Sequence, residues 1–240
     1  MTKKLIIIPL LLSLWACITN ENPSQNPHNL AIINNFEDYH ASVISDPNNL
    51  MLNIETEIPG IIADIRYATD NNFTGEVIYT DPKAYLRKPA VTALKKVQDS
   101  LKHHQLGLIV YDAYRPYAAT LKFYEVYPDT DFVADPRFGS RHNRGCAVDV
   151  TLACLLTGKE IPMPTKFDDF SERAHPLYAA LPDTVIKNRA LLTGIMDHFG
   201  FTQYPTEWWH FDFAGWENYD LMDLTFDDLN AMQTILKQQH

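Results

Sequence analysis

Two short stretches carry the residue types that do chemistry. In Ser140-Arg141-His142-Asn143-Arg144-Gly145-Cys146-Ala147-Val148-Asp149 a histidine precedes an aspartate, with a glycine between them. Residues 147 to 152 read as a strand. Extended, it turns Val148, Val150 and Leu152 to one face and Ala147, Asp149 and Thr151 to the other. A carboxylate on a strand otherwise fit for a core needs a partner, because burying a lone charge is costly. His142 lies just before the strand, and Gly145 lets the chain bend between them. One nitrogen and one oxygen ligand can therefore converge. The second stretch is Glu207-Trp208-Trp209-His210, whose i, i+3 spacing puts Glu207 and His210 on one side of a turn or tight loop. Two histidines and an aspartate, with a carboxylate to spare, form the ligand set of a catalytic zinc with an open position. The spare Glu207 could take a proton from the attacking water. Each stretch also has a plainer reading. His142 and Asp149 could be a capped loop histidine and a turn-bonded carboxylate, and Trp208 to Phe211 a core strand with an internally satisfied histidine.

Three more residues belong with these. Arg115 follows an apolar strand and precedes Pro116, so it stands at a strand end, where a cation could stabilise the oxyanion of a tetrahedral intermediate. The alternative is a salt bridge to Asp112 or Glu125. Asp168, in a loop, could pair with a substrate ammonium or cap a helix, and Tyr67 could hydrogen-bond nearby or fill a strand face. His175 and His198 are weaker metal candidates; His198 reads most simply as the end of a helix.

The elements that must position these groups can be read in order. The stretch Ile58 to Tyr67 contains a short strand after the Pro59-Gly60 turn signal. Val91, Leu94, Val97 and Leu101 recur at helical spacing. Leu106 to Asp112 is a strand apolar on both faces, followed by a helix with Ala118, Leu121, Tyr124 and Glu125. Residues 128 to 141 form a polar loop ahead of the Asp149 strand. A hairpin around Thr157-Gly158-Lys159 and an irregular loop from Phe167 to Ala180 come after it. A helix from Ile186 to Phe199 stops at Gly200, then come strands at Phe201 to Tyr204 and within Glu207 to Phe213. Residues 224 to 238 form a last helix with Thr225 as N-cap. The expected class is α+β, a central and mostly antiparallel sheet with helices packed on it.

The chain of 240 residues is 46% hydrophobic and 21% charged, enough for one catalytic domain with its own core. Its net charge of -10, with no basic patch, argues against a nucleic-acid partner. Residues 1–17 have a short basic start, an apolar run from Leu5 to Trp15, and the step Ala16-Cys17. This reads as an export signal, with an end that resembles a bacterial lipobox, so Cys17 would carry a lipid and be the protein's one membrane contact. Residues 18–45, rich in Asn, Pro and Ser, read as a tether to a catalytic domain at 46–240, with a helix from about Leu30 to Tyr39 packing on the domain as the alternative. The expected location is the periplasm or a membrane surface outside the cytoplasm. Cys146 and Cys154 lie along one strand, too far apart to bridge when extended.

Taken together, Ser140-x-His142-x-x-Gly145-x-Ala147-x-Asp149 and Glu207-x-Trp209-His210 resemble the signature of the D-Ala-D-Ala metallopeptidases, nearest the D-alanyl-D-alanine dipeptidases of the vancomycin-resistance type. Arg66-Tyr67-Ala68-Thr69, Asn72-Phe73-Thr74-Gly75 and Asp112-x-Tyr114-Arg115-Pro116 support it. The resemblance covers residues 55 to about 215. It implies the hedgehog/DD-peptidase-like fold and one zinc ion per chain held by His142, Asp149 and His210. It further implies Glu207 as general base and acid, Arg115 at the transition state, and Tyr67, Ser140 and Asp168 on a small D,D-dipeptide substrate, Asp168 near its amine. Arg141 and Cys146 stand where such dipeptidases carry small polar residues such as serine, and Arg141 adjoins the site. A zinc D,D-carboxypeptidase or endopeptidase for peptidoglycan stems, or a non-catalytic module of the same fold, would share these residues.

Overall fold

A computed structural model describes residues 26–238. Residues 1–17, with Cys17, lie outside the described part. Along the chain come β1 (Ile32–Ile33) and α1 (Phe36–Ser45), then β2 (Met51–Asn53), α2 (Ile54–Glu57) and β3 (Ile62–Ala63). They are followed by β4 (Tyr85–Arg87), α3 (Lys88–Lys102), β5 (Leu106–Asp112), α4 (Tyr117–Val126) and β6 (Ala147–Cys154). The chain ends with α5 (Asp183–His198), β7 (Phe201–Gln203), β8 (His210–Phe213), β9 (Leu221–Met222) and α6 (Phe226–Gln238). Among the described residues no helix is long and apolar enough to cross a membrane.

Five strands form the main sheet in the order β3-β5-β6-β8-β7. Only the β3–β5 pair is parallel; the other three pairings are antiparallel, as the alternating pattern predicts. Val148, Val150 and Leu152 of β6 are fully buried in the main core, together with Leu94 and Val97 of α3 and Leu192 and Met196 of α5. That face is closed by the helices. Asp149 and Thr151 point to the opposite face, where Ile109, Tyr111 and Ala153 pack with Phe167. The sheet thus separates an oily side from a side left for chemistry, and period-two alternation makes the separation.

Local signals explain the helix limits. α1 begins at Asn35, whose side chain accepts from the Asp38 amide at 2.9 Å, with Glu37 and Asp38 in the first turn. Pro89 opens α3, and its buried face includes the expected Val91, Leu94, Val97 and Leu101. The Thr225 hydroxyl accepts from the Asp228 amide at 3.1 Å, and the Asp228 carboxylate accepts from the Thr225 amide at 3.0 Å, a reciprocal cap.

The expected helix after Pro116 forms as α4, and it buries Tyr117, Ala119, Thr120 and Phe123. The polar tips on that buried face are satisfied: Tyr117 donates to the Pro136 carbonyl at 2.9 Å, and Thr120 bonds to Asn143. In the segment up to residue 45 the described part packs on the domain, as the helix alternative has it, with α1 at Phe36–Ser45 instead of about Leu30 to Tyr39. β1 pairs in parallel with β9, and Tyr39 of α1 is completely buried, accepting from the Met51 amide at 2.8 Å. An aromatic side chain that buries its whole surface gives α1 a reason to fold onto the domain.

Candidate active site

The site is assembled by strand register. Asp149 of β6 lies opposite His210 of β8 and opposite Asp112 of β5, past an irregularity between Val110 and Asp112. Three adjacent strands therefore bring side chains to one level. His142 comes from a single 3-10 turn, His142–Arg144, ended by Gly145 at φ 68. A Cβ on Gly145 would meet the Met51 side chain at 2.5 Å, so only glycine lets the chain turn here and lay His142 over the strand. Asn143 holds the same turn, accepting from the Ser140 amide at 2.7 Å and donating to the Arg115 carbonyl at 2.8 Å.

Three donor atoms converge. His142 Nε2 is 3.1 Å from His210 Nδ1 and 3.5 Å from Asp149 Oδ1, which is 3.1 Å from His210 Nδ1. The other ring nitrogens are occupied. His142 Nδ1 donates to the Ala113 carbonyl at 2.6 Å, and His210 Nε2 donates to Asp212 Oδ1 at 2.9 Å. Those bonds fix tautomers that turn unprotonated nitrogens toward Asp149. Asp149 Oδ1 is buried without a hydrogen-bond partner. Three lone-pair atoms facing one another at this distance repel unless a cation lies between them. A tetrahedral zinc with bonds of about 2.0–2.1 Å needs donors about 3.3 Å apart, and the spacing fits. The donor set also suits zinc, with two imidazoles and one carboxylate leaving a position open.

Around this triangle the other expected residues gather, all lining one cavity of about 940 Å³. Glu207, in the turn before β8, has Oε2 3.6 Å from His210 Nδ1. Burial pushes its carboxyl up to about 8, with Asp149 and Asp168 adding to the rise against the pull of His210. A carboxyl poised there can both accept and return a proton near neutral pH. Burial alone would lift Asp149 as well, but the His142 and His210 rings hold it below the ordinary carboxylate range. Arg115 is buried and donates through Nε and Nη2 to Asp112 Oδ2 at 3.1 and 2.8 Å. The salt bridge and the cavity position coexist: Asp112 aims the guanidinium, and Arg115 still lines the cavity. Tyr67 donates to both oxygens of Asp168, at 3.1 and 3.2 Å. Burial, then the charge of Asp149, raises the Asp168 carboxyl to about 8. Its backbone sits at φ 58, a left-handed conformation costly for a side chain other than glycine, asparagine or aspartate. Ser140 Oγ accepts from the His142 amide at 3.2 Å. His175 and His198 are not in the cluster. Cys146 and Cys154 are both free thiols.

Sequence reasoning missed three participants. Asp212 orients His210, and its signal was present: a carboxylate two residues along a strand shares the face of a metal-binding histidine. Asp112 was read only as one of two ion-pair options for Arg115. It also accepts from Tyr79 at 3.0 Å and lies 3.8 Å from His142 Nδ1, joining the guanidinium to the metal side. Arg141, expected only to adjoin the site, lines the cavity between the Tyr204 and Trp216 rings.

An open metal position, a carboxylate base and an aimed guanidinium on one sheet face make this a metal-dependent hydrolase, one built to attack a carbonyl. The model of the D-Ala-D-Ala dipeptidase family matches residues 48–228, and the chain belongs to that family. It is 35% identical over 179 residues to the D-alanyl-D-alanine dipeptidase of Escherichia coli K12, covering 75% of this chain and 92% of that one. It is 31% identical over 177 residues to the D-alanyl-D-alanine dipeptidase of Enterococcus faecium, covering 64% of this chain and 86% of that one. Against the enzyme of the same name from Enterococcus faecalis it is 30% identical over 186 residues, covering 68% and 91%.

Proposed function

We propose that this chain hydrolyses the dipeptide D-Ala-D-Ala to two D-alanines, using one zinc ion held by His142, Asp149 and His210. The convergence of three unprotonated donors beside Glu207 carries this reading. Zinc, when bound, supplies a Lewis acid that activates water and polarises the peptide carbonyl. Asp168, with Tyr67, takes the substrate ammonium, and Ser140 lines the same cavity. Glu207 accepts a proton from the attacking water as its oxygen bonds to the carbonyl carbon. Arg115 stabilises the negative charge that develops on the carbonyl oxygen. As the C–N bond breaks, Glu207 gives the proton to the leaving amine.

The test is metal analysis with a D-alanine release assay on protein lacking residues 1–17. Glu207→Ala is expected to keep its zinc and lose about 10²–10⁴-fold in turnover. His142→Ala is expected to lose zinc. Near-normal activity in the first variant, or a full zinc complement in the second, overturns the respective assignment.

A D,D-carboxypeptidase reading draws on one observation: the cavity runs past the ligands to Phe138 and Leu221, room beyond a dipeptide. Incubation with a stem pentapeptide separates the two, since release of the terminal D-alanine from it would favour the wider specificity. We also read residues 1–17 as an export signal and Cys17 as a lipid attachment point. That would place the activity outside the cytoplasm, in cell-wall peptide turnover. Cys17→Ala should shift the protein from the membrane fraction to the soluble one; unchanged membrane retention would refute the lipid.

A further inference from the structure

Arg141 is the cation of the cavity that has not been given an acceptor. Its Nε lies 3.5 Å from Asp212 Oδ2, too long for a good hydrogen bond, and its side chain is 36% exposed. The guanidinium is 5.6 Å from the centre of the Tyr204 ring and 4.8 Å from that of Trp216. None of its N–H groups donates to an oxygen at hydrogen-bond distance among the described residues. The contrast with its neighbours is plain: Arg115 spends two donors on Asp112, and Arg144 donates to the Tyr219 carbonyl. A guanidinium held in place by two rings, facing a cavity with its donors free, is a preorganised receptor for a carboxylate.

Strand order says which carboxylate. Tyr67 follows β3, Arg115 follows β5, Asp149 is on β6, His210 is on β8, and Tyr204 follows β7. Read across the sheet, the Tyr67–Asp168 pair lies on one side of the metal ligands. Arg141, over Tyr204 and beside the Asp212 that orients His210, lies on the other. A D,D-dipeptide is a zwitterion about 7 Å long with its scissile carbonyl between the charges. Its ammonium at Asp168 and its carbonyl at the ligands leave the C-terminal carboxylate directed toward Arg141.

We propose that Arg141 is a specificity-determining residue that binds the C-terminal carboxylate of the D,D-dipeptide, so that the cavity reads both ends of the substrate. The assignment rests on the dipeptidase reading above. Asp212 tempers the charge of Arg141 without occupying its donors.

The test compares wild type, Arg141→Met and Arg141→Lys on D-Ala-D-Ala and on its C-terminal amide, with zinc content measured alongside. Wild type should prefer the free acid. Arg141→Met should raise KM for the acid by about tenfold or more, the cost of a charge-assisted contact, with kcat little changed and KM for the amide unaffected. Arg141→Lys should recover part of the loss. In a Glu207→Gln background, equilibrium binding of the acid, but not of the amide, should weaken by the same factor when Arg141→Met is added. Equal losses on both substrates, or an unchanged acid-to-amide ratio, overturn the assignment while leaving the dipeptidase reading intact. A zinc-loaded wild type inert toward D-Ala-D-Ala would instead overturn the dipeptidase reading, and the Arg141 assignment with it.

Discussion

At the scale of single residues the site is a collection of carboxylates held against their preference. Asp168 shows this most directly, for its carboxyl is raised by burial. A carboxyl of ordinary pKa about 4 in the unfolded chain and about 8 in the fold costs nothing below pH 4. The cost grows as pH rises from 4 to 8 and is complete above 8, because the folded form keeps a proton that the unfolded form releases. Asn tolerates the same backbone and removes the charge. Asp168→Asn should therefore stabilise the metal-free protein by about 1–3 kcal/mol at pH 9, allowing for solvent at a half-buried position, and by nothing at pH 4. Thermal melts at the two pH values check this. The same substitution should raise KM for the dipeptide, since the ammonium loses its counter-charge. A stabilisation independent of pH would show that the carboxyl's charge is not its cause.

At the scale of elements, register does the positioning. Asp112, Asp149 and His210 meet because β5, β6 and β8 are neighbours with matched pairs, and His142 arrives by a turn that only glycine allows. Gly145→Ala puts a side chain at φ 68, costing about 1–2 kcal/mol, and a Cβ against the buried Met51 side chain. The expected outcome is a lower melting temperature and weaker zinc binding, read by unfolding and by competition with a chelator. Wild-type zinc affinity in that variant would show that the turn does not place His142. The elements themselves were largely legible. The strands at Leu106 and Ala147 and the helices at Lys88 and Asp183 follow from apolar periodicity, which depends only on local spacing. The partners of α4's buried polar tips were not legible, because Tyr117 and Thr120 reach Pro136 and Asn143, contacts that no local pattern encodes.

At the scale of the whole molecule, the N-terminal segment is fastened to the C-terminal one. β1 joins β9, α1 buries Tyr39, and Gln233 of α6 donates to the Met51 carbonyl at 3.1 Å. Arg87 completes the tie by donating to the carbonyls of Asn49, Arg144 and Asp220. Its hold on the Arg144 carbonyl links this layer to the turn that carries His142. Tyr39→Ala should cost about 3–5 kcal/mol, the range for emptying a large buried aromatic site. Chemical denaturation measures it, and a loss under about 0.5 kcal/mol would mean that residues up to 45 behave as the tether their composition suggests.

The sequence by itself determined the inventory of this protein: two imidazoles, an aspartate, a spare glutamate and an arginine, at spacings that a strand and a tight turn make useful. Side-chain chemistry and alternation along a strand are local properties, so both can be read from order alone. The tertiary structure decided which groups meet. Asp212 bonds to His210, Asp112 aims Arg115, Tyr204 and Trp216 hold Arg141 open to the cavity, and Tyr39 draws the supposed tether into the core. Each depends on the register and packing of segments far apart in the chain, where the free energy comes from burial and pairing that no single segment supplies.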